Sequence, residues 1–161
     1  MFGQTNQKPY STLKLPNYFS VTADMTSATW NTLAKHEIAT VTGMVHMVVI
    51  PECTATLTDT ADGASIQFGH ESDTAALIAS TAGATAATLI ATGDIWVDAT
   101  PTEVMVLRTP LAALDFVIAG GLDVGYEITG AALTGGTIVF HVWYEPLNST
   151  GAVVAGAGGV L

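Results

Sequence analysis

The chain has 161 residues, 49% of them hydrophobic and only 11% charged, and 14 acids against four basic residues give a net charge of −10. That length suits one compact domain, and the acidic balance excludes a surface that grips bare nucleic acid, because phosphate binding needs clustered Lys and Arg. No uncharged apolar run reaches the ~20 residues of a membrane helix, and a lone cysteine, Cys53, provides neither an intrachain disulfide nor a C-x-x-C metal pattern.

The first 17 residues hold Gln, Asn, Lys and two prolines with no apolar period, and Pro9 and Pro16 forbid a regular helix, so they read as an extended arm. They lack the basic-then-apolar layout of a secretory signal, and synthesis in the cytoplasm is the expectation. Short strand-like runs follow at Tyr18 to Thr22 and Ala28 to Leu33. From His36 to Ile50 apolar and polar residues alternate with period two, which predicts one long strand stopped by Pro51. Cys53 beyond it reads as a small buried apolar side chain.

Thr54 to Thr58 and Ala64 to Gly69 flank an Asp62-Gly63 pair, the sequence signature of a tight hairpin. Thr74 to Gly93 is rich in alanine, but its dense threonines and the central Gly83 favour loop and short strand, with a helical turn near Asp73 to Ala79 as the alternative. Further strands are expected at Asp94 to Asp98, Glu103 to Arg108, Leu114 to Gly121 and Leu122 to Thr129. The strongest strand pattern, Gly135 to Leu147, sends Ile138, Phe140, Val142 and Tyr144 to one face and Val139, His141, Trp143 and Glu145 to the other. The last residues, 148 to 161, are uncharged and rich in Gly and Ala, a tail that forms no core alone and is expected to be disordered or laid along a neighbour.

Many short strands at 8 to 12 residue spacing, without a convincing amphipathic helix, predict an all-β fold. The expected form is a β-sandwich, with a jelly roll the first choice. The expected layout is an extended arm over 1–17, the sandwich over 18–147 and the Gly/Ala-rich C-terminal tail over 148–161.

Chemistry is sparse. No G-x-S-x-G nucleophile turn and no phosphate loop with its Lys occurs, and His36, His46, His70 and His141 are scattered singly. Asp59, Asp62, His70, Glu71 and Asp73 form the one polar constellation with metal character, but their spacing fits no calcium or zinc pattern and suits turns and a cap better. Asp94, Asp98 and Glu103 near Trp96 are the carboxylates a glycosidase would draw on, though nothing in their spacing singles them out. The expectation is therefore no enzyme, no catalytic residue, no metal and no cofactor. Val139, His141 and Trp143 are too apolar for a water-facing strand in a chain so short of charge, and are expected to pack on an arm or a sister subunit.

The C-terminal third, "LDVGYEITGAALTGGTIVFHVWYEPLNSTGAVV", together with "IWVDATPTE", resembles small virion structural proteins of tailed bacteriophages, of the head decoration or cement type. The resemblance covers about the last 70 residues, and its motifs are structural. It implies a homotrimer on the outer capsid surface that clamps neighbouring capsomers, with the major capsid protein as partner and no nucleic acid or membrane. Under that reading the arm makes the capsid contact through Phe2, Lys8, Tyr10 and Lys14. The alternatives are a tail or head-fibre component that meets the host surface, and a carbohydrate-binding β-sandwich module; an exposed aromatic site such as Trp96 or Trp143 would serve either.

Overall fold

The computed structural model describes residues 17–59, 63–82, 90–101, 114–159 and 161. Among these residues the fold is all-β, with nine strands: β1 (Asn17–Asp24), β2 (Lys35–Thr42), β3 (Val45–Asp59), β4 (Ser65–His70), β5 (Asp73–Ala82), β6 (Asp115–Ile118), β7 (Val124–Thr129), β8 (Leu133–Pro146) and β9 (Ala152–Ala155). They form a four-stranded antiparallel sheet, β1-β8-β3-β6, and a five-stranded one, β5-β4-β7-β2-β9.

The core lies between the two sheets. Alternation along β8 turns Ile138, Phe140 and Val142 inward, where all three are fully buried, as the sequence pattern predicts. Phe140 stacks on Tyr126 of the opposite sheet at 5.7 Å between ring centres and 4° between planes, and lies 5.4 Å from Phe68. Val21, Met47, Val49, Leu57, Ile38, Ile66 and Ile78 complete the layer. Cys53 is buried there too, as expected.

Several expectations are corrected. The long strand from His36 to Ile50 is two strands in different sheets, broken at Gly43, whose φ of 65° lies in the left-handed region that glycine tolerates. Pro51 does not end β3. The Pro51 carbonyl accepts from Trp96 N–H at 2.9 Å, and within a strand a residue's N–H and C=O point the same way, so the missing N–H faces away from β8 and no ladder bond is lost. The segment 90–96 runs along this side of β3, with Cys53 N–H donating to Asp94 O and Leu57 N–H to Ile90 O.

β3 and β4 are not a hairpin, since they belong to opposite sheets and the chain crosses between them. Asp59 Oδ2 accepts from the N–H groups of Gly63 and Ala64 and fastens the crossing, while Asp62 lies outside the described residues. The actual tight hairpin joins β4 to β5, with His70 opposite Asp73. The alanine-rich stretch begins as the ten-residue strand β5, where β-branched residues prevail over alanine's helix preference. Ala28 to Leu33 is a run of turns, held by Trp30 N–H to Ser27 O and by Asn31 Nδ2 to Met25 O. Glu103 to Arg108 lies outside the described residues. The tail is ordered at Ala152–Ala155, which pair with β2 of the same chain as β9.

Candidate functional site

The outer face of the four-stranded sheet collects the chemistry that the core cannot use. Register places Tyr18 of β1 beside Trp143 of β8, and Trp143 beside Val48 of β3; one step along, Ser20, His141 and Ile50 align, and then Thr22, Val139 and Glu52. Val117 and Asp115 of β6 extend the face beyond Val48 and His46. Tyr18 is 53% and Val117 56% exposed, Val139, His141 and Trp143 are half-buried, and no Lys or Arg among the described residues lies on these four strands. The face is therefore wet at its rim, apolar in its middle and without a cation.

Two imidazoles are held there by carboxylates. His141 Nε2 lies 2.9 Å from Glu52 Oε2, and because a carboxylate only accepts, Nε2 carries the proton. Tyr18 Oη–H then donates to Nδ1 at 2.8 Å, giving the continuous link Glu52, His141, Tyr18. His46 Nε2 donates in the same way to Asp115 Oδ1 at 2.6 Å. The link joins two rings, and the ring of Trp143 packs against both. Tyr18 and Trp143 lie 5.0 Å apart, His141 and Trp143 6.0 Å, and Tyr18 and His141 6.2 Å with planes 16° apart. An acid–imidazole–hydroxyl link has the connectivity of an activated nucleophile, but an open, water-facing sheet gives it no enclosure in which charge would be strongly felt. Its effect is to tie Tyr18 and His141 to the sheet surface beside Trp143.

The other expected groups do not converge. Asp59 stands at the entry to β4 and His70 at its end, so the length of that strand, roughly 20 Å for six residues, separates them. Asp73 Oδ1 accepts from Ala75 N–H and caps its own turn, and Asp73 N–H donates to His70 Nδ1. Among the described residues no group of three or more His, Cys, Asp or Glu side chains comes within reach of a common metal ion. Trp96 is fully buried, its indole N–H donating to Thr81 Oγ1 at 3.1 Å, so it is a core residue and not the exposed platform considered from sequence. Asp94 Oδ2 accepts from Ala91 N–H and Asp98 Oδ1 from Thr100 N–H, both local turn bonds, while Glu103 lies outside the described residues. His36 is a satisfied core histidine, its Nε2 donating to Thr32 O at 3.0 Å and its ring stacked on Tyr126.

An open cleft of about 500 Å³ lies where β6 meets β5 and β7, lined chiefly by Leu77, Phe116, Ile118, Leu122 and Val124 with His70 at its edge. It is apolar, and His70 is the sole titratable side chain among its described lining.

Val139, His141 and Trp143, expected on one face of a single strand, lie together on the outer face of β8. Sequence reasoning missed Glu52, because β3 was expected to stop at Pro51, and it missed His46 and Asp115 as a pair. The capsid-contact candidates Phe2, Lys8, Tyr10 and Lys14 lie outside the described residues. Among the described residues no helix is long and apolar enough to cross a membrane. Comparison with family models, with curated proteins and with solved structures gives no match.

Proposed function

We propose that the chain is a structural virion protein of the capsid decoration or cement type, a jelly roll that binds the outside of a tailed-phage head and stabilises it by bridging capsomers. The observation that carries this reading is the aromatic, cation-free outer face of β1-β8-β3-β6, on which Tyr18, His141 and Trp143 are locked together while still accessible. Enrichment of aromatic residues together with the absence of Lys is a compositional mark of an interface centre. In this reading Val139, His141 and Trp143 meet a sister subunit of a homotrimer, and the arm, through Phe2, Lys8, Tyr10 and Lys14, meets the major capsid protein.

The strand order supports the jelly roll. Eight strands in the orders β1-β8-β3-β6 and β5-β4-β7-β2 are the arrangement that two Greek keys produce, with β9 added at one edge, and viral capsid and lectin domains use that architecture. Binding to capsids stripped of this chain, followed by sedimentation and by thermal release of the packaged genome, tests the proposal. Full-length chain is expected to saturate the capsid surface and raise the release temperature, and deletion of residues 1 to 17 to lower occupancy at least tenfold. Absence of the chain from purified virions, or unchanged occupancy without the arm, overturns the reading.

A head-fibre or tail role that contacts the host surface is the second reading. It is favoured by one detail: the Trp143 indole N–H and Glu52 Oε1 have no hydrogen-bond partner among the described residues, leaving a donor, an acceptor and two ring faces together on the sheet. Trp143→Ala would then abolish adsorption to cells while leaving capsid occupancy intact.

A further inference from the structure

The two sheets have four edges, and three of them are blunted. β6 and β9 are four residues long, and β5 pairs with β4 through two register irregularities that twist it away from a regular ladder. β1 is different. Its eight residues, Asn17–Asp24, run in unbroken register with β8 and contain no Lys, Pro or Gly, the devices by which proteins normally protect an edge.

The direction of its free backbone groups follows from the ladder. Met25 N–H donates to Gly136 O, which continues the β1–β8 register, so odd-numbered residues of β1 bond to β8. The N–H and C=O groups of Tyr18, Ser20 and Thr22 therefore point outward, and among the described residues they have no backbone partner. The Asp24 carbonyl is already taken by Ser27 N–H, so the free strip ends there.

We propose that β1 pairs antiparallel with β1 of a second copy of this chain, about a two-fold axis at Ser20, joining the two four-stranded sheets into one of eight strands. Only this register uses every outward N–H and C=O of Tyr18, Ser20 and Thr22: Ser20 exchanges bonds with Ser20 of the second copy, and Tyr18 with Thr22 of the second copy in both directions. It is self-complementary on both faces. Phe19, which packs on Tyr144, falls opposite Val21 of the second copy, so the inner face of the junction continues the core, and Tyr18 falls opposite Thr22 on the outer face. No charges oppose one another, because Asp24 stands outside the paired stretch.

The flank agrees with a copy of the chain as the occupant. β9 borders the same side of the sandwich as β1, and residues 148 to 159 carry no charge although the whole chain bears 14 acids. Two chains of net charge −10 approach most cheaply where neither presents an acid, and a two-fold contact is the commonest closed arrangement. The contact does not rest on the capsid reading and is tested on the purified full chain. If the chain is also a trimer, the contact joins one trimer to another.

The test combines mass and register. By light scattering, the wild type is expected to contain twice as many chains as Ser20→Pro, which removes an outward N–H and no internal bond. Thr22→Pro repeats the test at a second outward position, and a thermal melt confirms that both variants fold. Under oxidation Ser20→Cys is expected to form a disulfide-linked pair, since its two Cα atoms would lie about 5.5 Å apart. Thr22→Cys is expected not to, its Cα atoms being offset by four residues, ~14 Å along the strands. Equal masses for folded wild type and Ser20→Pro overturn the proposal, as does cross-linking that is absent in Ser20→Cys or equal in Thr22→Cys.

Discussion

Cys53 illustrates how a single side chain records its surroundings. Its Sγ–H donates to Ala55 O at 3.2 Å inside the core, and burial, reinforced by the nearby Asp94 carboxylate, pushes the thiol up from 9.0 to about 11. A thiol that is both buried and held protonated is a poor nucleophile, so Cys53 is expected to resist alkylation in the folded chain at neutral pH. The linkage has a definite sign. Because the folded value lies above the unfolded one, nothing is lost below pH 9, and stability falls as pH rises from about 9 to about 11. Allowing for partial screening, the loss is on the order of 1–2 kcal/mol. Urea midpoints measured under reducing conditions at pH 8 and pH 10.5 should show this decline, and Cys53→Ala should lower the midpoint at pH 8 while flattening the slope between the two. Tyr126 adds to the alkaline sensitivity, because burial holds its phenol strongly protonated and its hydroxyl donates to Trp30 O at 2.6 Å.

At the scale of elements, the break at Gly43 decides how the sandwich closes, because it sends β2 and β3 to different sheets. A Cβ there would stand 2.6 Å from Thr150 Oγ1 and 2.7 Å from the Thr150 backbone, on a residue whose φ is 65°. Gly43→Ala should therefore cost about 2 kcal/mol or more, whereas Gly120→Ala, where a Cβ meets nothing within 4 Å, should change stability by less than about 0.5 kcal/mol. Chemical denaturation of the two variants side by side checks the contrast. The same break explains why much of the strand content was legible and the pairing was not. Alternation along Ile138, Phe140 and Val142 reports a buried face directly, but nothing in the alternation of residues 36–50 says that the chain changes sheet between Thr42 and Val45. Likewise Asp62-Gly63 signals a turn, and a turn between sheets uses the same residues as a turn within one. Pro51 misled for a related reason: its effect depends on which side of the strand its absent N–H faces. That error hid Glu52, and with it the partner that makes His141 part of a fixed cluster and not a solitary imidazole.

For the molecule as a whole, the strand order makes the fold depend on its last third. β8 is the central partner of both β1 and β3, pairing Tyr18 with Trp143 and Val49 with Val142, so the four-stranded sheet has no interior ladder between β1 and β3 until residues 133–146 are present. The five-stranded sheet depends in the same way on β7, which stands between β4 and β2. Such pairings close long loops before they return any contact energy, which places the folding of this chain in the slow, millisecond-to-second class of β-sandwiches. It also means that a fragment lacking β8 leaves Phe68 and Tyr126 without the ring of Phe140 that packs on both from the opposite sheet. A fragment comprising residues 1–130 should show no cooperative unfolding transition, and adding a peptide of residues 131–161 should restore one with a midpoint that rises with peptide concentration. Introducing Phe140→Ala into that peptide should weaken the rescue by roughly 3–5 kcal/mol, the cost of removing a buried phenyl ring. A cooperative transition in the fragment alone would mean that β1 and β3 find another partner, and the pairing through β8 would not be what holds the four-stranded sheet together.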